Sequence, residues 1–260
     1  MRSHIAYARG MKRLRQVLLL LAVGLIGYGI AWVQPYVVRP PLIVGQDAIS
    51  DAASLQARVQ LDDVDGRVLS IRPASSEGDV LLVFYPGGLV RPQAYEWLGR
   101  ALAEHGVHTV IPEFAADLAV TGKDRAEPLI QRYAAGRPVV LAGHSLGGVM
   151  AADFVSRHAD QVAGLVLMAA YPADGIDLSG TGFGALSLLA EHDGNADAGL
   201  IRASLPRLGP GSRLAVIPGA VHSFFGRYGP QDGDGTPTVS RAQAEKSIVA
   251  ELVGYLDPLS

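Results

Sequence analysis

"VVLAGHSLGG", residues 139–148, carries four apolar residues into Gly143 and His144 and then into Ser145, with Gly147 and Gly148 just beyond. The apolar run has the composition of a strand buried on both faces, and "VMAADFV" after it has helical spacing. A serine at such a junction can be held in a strained turn that exposes Oγ. Gly143 and Gly147 leave room where strand and helix cross. The amide of Leu146, at the start of the helix, would point at a developing oxyanion and gain from the helix dipole. Gly-x-Ser-x-Gly alone also arises by chance; its place between a strand and a helix is what gives it weight.

The same alternation continues on both sides. "DVLLVFYPGG" (79–88), "VHTVIPEF" (107–114), "VAGLVLMAAY" (162–171), "ALSLLAEHD" (185–193) and "RLAVIPGA" (213–220) read as strands. "AYEWLGRALAEHG" (94–106), "AEPLIQRYAAG" (126–136), "AGLIRASLPRLG" (198–209) and "SRAQAEKSIVAELVGYL" (240–256) read as helices between or after them. "ARVQLDD" and "RVLSIRP" flank Val64-Asp65-Gly66, which predicts an antiparallel hairpin at the domain's start. The pattern predicts one α/β domain over 55–260 with a doubly wound, mostly parallel sheet, without repeats. Chemistry in such sheets sits beyond the carboxyl ends of strands. Four loops qualify: "PGGL" after Tyr85, "HSLGG" after Gly143, "HDGNAD" after Glu191 and "GAVHSFFG" after Pro218.

A serine hydroxyl attacks only when a base takes its proton and amides stabilise the oxyanion. The second amide is expected from "FYPGGL", with Gly88 first and Leu89 next; a plain Pro-Gly turn is the simpler reading of that loop. Of seven histidines, His222 follows the last strand and precedes aromatics that could shield an imidazole. His144 is expected to point away from its neighbour Ser145. His105 and His108 flank a helix end, His158 suits a helix C-terminus, and His192 competes but precedes the position of an acid. The acid expected to orient His222 is Asp193, before Gly194, with Asp197 next and Asp174 or Asp177 third.

Hydrophobic residues make up 49% of the 260 and charged residues 18%, which excludes a disordered chain. The lack of cysteine excludes disulfides, thiolate metal sites and a cysteine nucleophile. Arg2, Arg9, Lys12, Arg13 and Arg15 precede an uncharged apolar run, Val17–Val33, and no acid accompanies them. The remaining 17 basic and 25 acidic residues leave the body at −8, without a basic stripe, so no nucleic-acid partner is expected. The run of 17 residues would span about 25 Å, enough for a short membrane anchor. The positive-inside rule then puts the N-terminus in the cytoplasm and the body outside. A cleaved signal peptide competes, although "AWVQPYVV" offers no good Ala-x-Ala site; a buried soluble helix is the third reading. The expected organisation is a basic N-terminus (1–16), an anchor (17–33), a linker with Pro40 and Pro41 (34–54) and the α/β domain (55–260).

"YPGG", "GHSLGG", "EHDG" and "GAVHSFFGRYGPQDGDG" together resemble the α/β-hydrolase superfamily over about Gln56 to Leu256. More narrowly they are similar to small bacterial serine hydrolases of the dienelactone-hydrolase-like, fold-family-5 kind. The order serine, acid, histidine agrees with that family. The chain departs from dienelactone hydrolases in having serine where those use cysteine. It departs from many lipases in having Pro86-Gly87-Gly88 where His-Gly-Gly is common. "YPADGIDLSGTGFG" (171–184) is too short for the helical lid that larger members insert, so an open, shallow site for small or flexible acyl groups is expected. The resemblance implies hydrolysis of carboxylic esters with a small-molecule ester as partner and no cofactor or metal. An acyltransferase on the same residues and a non-catalytic binding protein on a hydrolase fold are the alternatives. "QDGDGTPT" (231–238) looks like a fragment of a calcium loop but lacks the spaced ligands and final glutamate, so a polar turn is expected.

Overall fold

The central strands are apolar at consecutive positions because both their faces are covered. The computed structural model describes residues 2–37, 42 and 52–259, in two units, Met1–Pro41 and Leu42–Ser260. In strand β3 (Val80–Tyr85), Val80, Leu82 and Phe84 join one core with Leu98 and Leu102 of helix α2 (Glu96–Ala103) and Ile248 and Leu252 of α6 (Arg241–Leu256). The intervening Leu81, Val83 and Tyr85 join a second core with Leu129 of α3 (Ala126–Tyr133) and Ala151 and Phe154 of α4 (Leu146–Arg157). Each such large side chain contributes roughly 1.5–3 kcal/mol by leaving water.

The remaining strands are β1 (Arg58–Asp63), β2 (Arg67–Arg72), β4 (Val107–Pro112), β5 (Val139–His144), β6 (Gly164–Met168), β7 (Ala185–Ala190) and β8 (Arg213–Ile217). With β3 they form one sheet in the order β1-β2-β4-β3-β5-β6-β7-β8. β1–β2 and β2–β4 pair antiparallel, and every other pair is parallel. The opening hairpin and the alternating strands and helices expected from the sequence are all present. Helix α5 (Ala198–Ser204) follows β7.

The strand order reverses beside β3. The chain steps from β3 out to β4, then crosses back to β5 on the other side. A crevice therefore opens between the loops that leave β3 and β5, with Tyr85 paired to Gly143 at its base. Two of the four expected loops, "PGGL" and "HSLGG", form its walls.

In the first unit, helix α1 runs over Arg2–Val37, and its segment Met11–Trp32 is long and apolar enough to cross a membrane, with a mean hydropathy of 1.8. The helix continues past the expected boundary at Val33 and carries Pro35 in its last turn. Most of the expected linker, residues 38–41 and 43–51, lies outside the described residues.

Candidate active site

The turn at Ser145 is built from backbone and glycine. Ser145 sits between β5 and α4 at φ 51°, ψ −124°, a conformation costly for any residue with a Cβ. Its amide donates to the Met168 carbonyl of β6 (2.9 Å), and its own carbonyl receives the Gly148 and Val149 amides (2.9 and 3.2 Å). A Cβ on Gly147 would lie 2.1 Å from the Tyr85 carbonyl oxygen, and one on Gly143 would lie 2.4 Å from the Gly147 carbonyl carbon. Only glycine lets the helix start this close to β3 and β5. The hydroxyl-bearing residue is thereby held half-exposed at the mouth of the crevice.

The loop after β3 has one amide to spare. Gly87 N–H donates to the Tyr95 hydroxyl (3.0 Å), Leu89 N–H to the Asp117 carbonyl (2.7 Å) and Val90 N–H to the Gly87 carbonyl (3.1 Å). Gly88, between the first two, makes no such bond and is half-exposed. Leu89 takes φ 61°, so the chain turns sharply at this point. A side chain on Gly88 would touch Leu146 Cδ2 at 3.3 Å, which places the two expected amide donors in adjacent residues. Leu89, the second choice, has its amide engaged elsewhere.

His222 opens a 3-10 turn (His222–Phe225) beyond β8. Its Nδ1 lies 2.9 and 3.0 Å from the two carboxylate oxygens of Asp193, and the side chains are 2% and 1% exposed. A carboxylate only accepts, so Nδ1 carries the proton it donates and Nε2 is left with a lone pair. Asp193 also accepts from the Asn195 and Ala196 amides (3.0 and 2.7 Å), which fixes its carboxylate. Asp197 instead caps α5 through the Leu200 amide, Asp177 closes a turn at Ser179, and His192 lies 3.4 Å from the Thr238 hydroxyl. His108 bonds Ser70 at the far end of the sheet.

The side chain of His144 does not simply point away. It is fully buried, and its ring centroid lies 4.5 Å from that of His222 and 5.4 Å from that of Phe225. Burial, then the neighbouring His222, hold its pKa well below the ordinary range, against a weaker opposing backbone contact with His222. Of the two aromatics expected to shield His222, Phe225 packs on His144, whereas Phe224 lies under the Arg241 guanidinium at 4.4 Å.

Sequence reasoning missed the residues that hold the His222 loop. Asp234 accepts from the His222 and Ser223 amides (2.9 and 2.8 Å) and reaches Gly194 N–H at 3.4 Å, so one carboxylate joins the histidine loop to the acid loop. "QDGDGTPT" is therefore more than a polar turn. The signal was an acid among glycines, but nothing local said what it would cap. A capping box of Ser240 and Gln243 starts α6 and sets Arg241 inward. Arg241 donates to the carbonyls of Ser223, Gly226 and Tyr228. Arg227 pairs with the fully buried Glu245 (3.0 Å) and lies over Trp97. Among the described residues, no three acids or histidines are grouped to hold a metal ion.

An open groove of about 710 Å³ is lined by Val149, Tyr171, Asp174, Leu200 and Arg207 among others, with none of Gly88, Ser145, Leu146, Asp193 or His222 in its wall. The connection between β6 and β7, residues 169–184, carries neither helix nor strand. Arg207 holds it down through the carbonyls of Pro172 (2.8 Å), Ala173 (2.9 Å) and Ile176 (3.2 Å).

This fold, with its crevice between the β3 and β5 loops, defines a class, and comparison supplies its name. A family model described as the alpha/beta hydrolase family matches residues 81–246, and the chain belongs to that family. A search of curated protein sequences gives no match. Among solved structures, a predicted CIB-like hydrolase from Thermoplasma acidophilum is similar at 15% identity and a TM-score of 0.62, covering 78% of this chain and 99% of that one. Est1E from Butyrivibrio proteoclasticus is similar at 12% identity and a TM-score of 0.57, covering 78% and 98%. Est1E with ferulic acid bound gives 12%, 0.58, 77% and 98%. At these identities the likeness concerns the fold.

Proposed function

We propose that this chain is a serine hydrolase that cleaves carboxylic esters of small or flexible acyl groups. The observation that carries the reading is the buried His222–Asp193 pair, whose imidazole packs on the residue preceding Ser145. His222 Nε2 takes the Ser145 Oγ proton as Oγ bonds to the ester carbonyl carbon. The Gly88 and Leu146 amides receive the resulting oxyanion. The intermediate collapses, the bond to the alcohol oxygen breaks, and that oxygen takes the proton from His222. Water then gives a proton to His222 and attacks the acyl-enzyme; the acid leaves, and Oγ recovers its proton. Asp193 orients the imidazole and stays ionised throughout. The short β6–β7 connection, which carries no helix, and the half-exposed Ser145 favour small acyl groups and give water access, which supports hydrolysis over acyl transfer.

The test is labelling of the full chain in detergent by a fluorophosphonate, read by intact mass, with p-nitrophenyl esters of increasing chain length alongside. Wild type gains the phosphonyl mass and Ser145→Ala does not. An unlabelled, folded wild type sinks the assignment.

For the N-terminal unit the proposed reading is a single-pass anchor within residues 17–33, N-terminus in the cytoplasm, hydrolase domain outside. The apolar segment Met11–Trp32 and the acid-free basic cluster support it. Carbonate-resistant membrane association of the intact chain is the expected result. A mature protein lacking the first thirty or so residues would establish a cleaved signal peptide instead.

A further inference from the structure

Tyr95 and His144 are two fully buried polar side chains that the proposed reaction leaves without a task. The Tyr95 oxygen accepts from Gly87 N–H at 3.0 Å and lies 2.8 Å from His144 Nδ1. The backbone amide can only donate, so the phenol hydrogen is free for Nδ1. That assignment gives the phenol hydrogen an acceptor and puts the imidazole proton on Nε2, a buried nitrogen for which the structure shows no full hydrogen bond. Burial raises the phenol pKa and lowers that of the imidazole, so both stay neutral.

This contact joins three parts that the chemistry needs in register. Gly87 precedes the unbonded Gly88 amide. His144 precedes Ser145. The His144 ring packs against His222. On the other side of Gly88, the Asp117 carbonyl holds Leu89. Gly88 is thus clamped from both sides, and one clamp also touches the base. A Cβ on Gly87 would come within 2.8 Å of His144 Nδ1 and 3.0 Å of the Tyr95 oxygen, so the three groups fit only with glycine there.

We propose that the Tyr95 hydroxyl and the His144 imidazole form a neutral positioning link that sets the Gly88 amide and the His222 ring relative to Ser145. The inference rests on the serine-hydrolase reading. A link that only satisfied buried polar groups would support folding alone. A positioning link controls turnover in a protein that is already folded.

The experiment compares wild type, Tyr95→Phe, His144→Asn and His144→Leu in full-length protein on p-nitrophenyl butyrate, with fluorophosphonate labelling rates and thermal unfolding. Tyr95→Phe removes one oxygen and keeps the ring. The expected result is a fall in kcat of about tenfold or more, KM within about twofold, and a matching fall in labelling rate, since an amide donor out of place loses part of its 10²–10³-fold effect. His144→Asn offers an acceptor near the Nδ1 position and retains several-fold more kcat than His144→Leu. Tyr95→Phe turning over like wild type overturns the link. Should Tyr95→Phe not fold, the Asn and Leu variants decide alone: equal kcat overturns the link, and Asn above Leu upholds it. A wild type that neither labels nor hydrolyses removes the serine-hydrolase reading itself, an outcome distinct from all of these.

Discussion

The Ser145 turn and the His222 loop meet through the His144 ring, which packs on His222, but they are held by opposite means. The turn relies on the absence of side chains: glycines let backbones meet, and a strained Ser145 is trapped between β5 and α4. The loop relies on charged side chains. Asp234 gathers its amides, Arg241 gathers its carbonyls, and Asp193 holds the imidazole. A turn made by close packing tolerates no added atom. A loop made by hydrogen bonds tolerates added atoms but not lost acceptors.

The contrast breaks most visibly at the imidazole. Asp193→Asn keeps the shape of the loop but can donate to Nδ1, favouring the wrong tautomer; kcat should fall by about 10⁴ with unfolding nearly unchanged. Unaltered ester turnover by that variant would remove the His222–Asp193 pair from the mechanism. Gly147→Ala acts on the other side of the comparison. Its methyl must displace β3 backbone, and destabilisation of about 4 kcal/mol, or failure to fold, is expected in urea titration, beyond the usual cost of overpacking. A variant within 1 kcal/mol of wild type on the scale of ordinary surface substitutions would show that the turn is not close-packed.

Asp234→Ala tests the loop as a hydrogen-bonded object. Several buried amides lose their acceptor, so about 3 kcal/mol of stability and a measurable part of kcat should go together. Loss of stability with full kcat would mean that Asp234 braces the fold without aligning His222.

Acid gives the smallest effect. Burial lowers the His108 pKa from 6.5 to about 4, and His144 is lowered too. Above pH 6.5 neither state binds the extra proton. Between pH 6.5 and 4 the unfolded chain takes a proton on His108 that the folded chain refuses, so stability falls with acid and the His108 share of the loss levels off below about 4. His108→Gln should recover about 2 kcal/mol of the loss at pH 5, by urea unfolding. An unchanged pH slope in that variant would contradict the cause assigned to it.

The ease of reading these regions in the sequence follows from how they are built. The Ser145 turn lies in ten contiguous residues, and its strand and helix are visible in their apolar spacing. Asp193 and His222 were legible because they directly follow strands whose order fixes where the loops gather. Both strand faces are buried, so β3, β6 and the first four residues of β5 read as nearly unbroken apolar runs, while β4 and β7 are interrupted by His108, Thr109 and Ser187. What stayed hidden joins residues far apart in sequence. Tyr95 meets His144 across 49 positions, and Arg241 reaches back 18 to Ser223. Neither pair has a local pattern, since a tyrosine before a helix and an arginine at a helix start are common. Asp234 stood out in "QDGDG", but a cap is defined by the amides it meets, and those belong to another loop.

The Arg207 clamp on residues 172–176 bears on how such a protein would meet aggregated substrate. Among the described residues, a β6–β7 connection whose three carbonyls are stitched down by one guanidinium offers no hinged segment for an oil–water surface to lift. Its rate should therefore follow one saturation curve through the solubility limit of an ester, without the sudden rise shown by enzymes that wait for an interface.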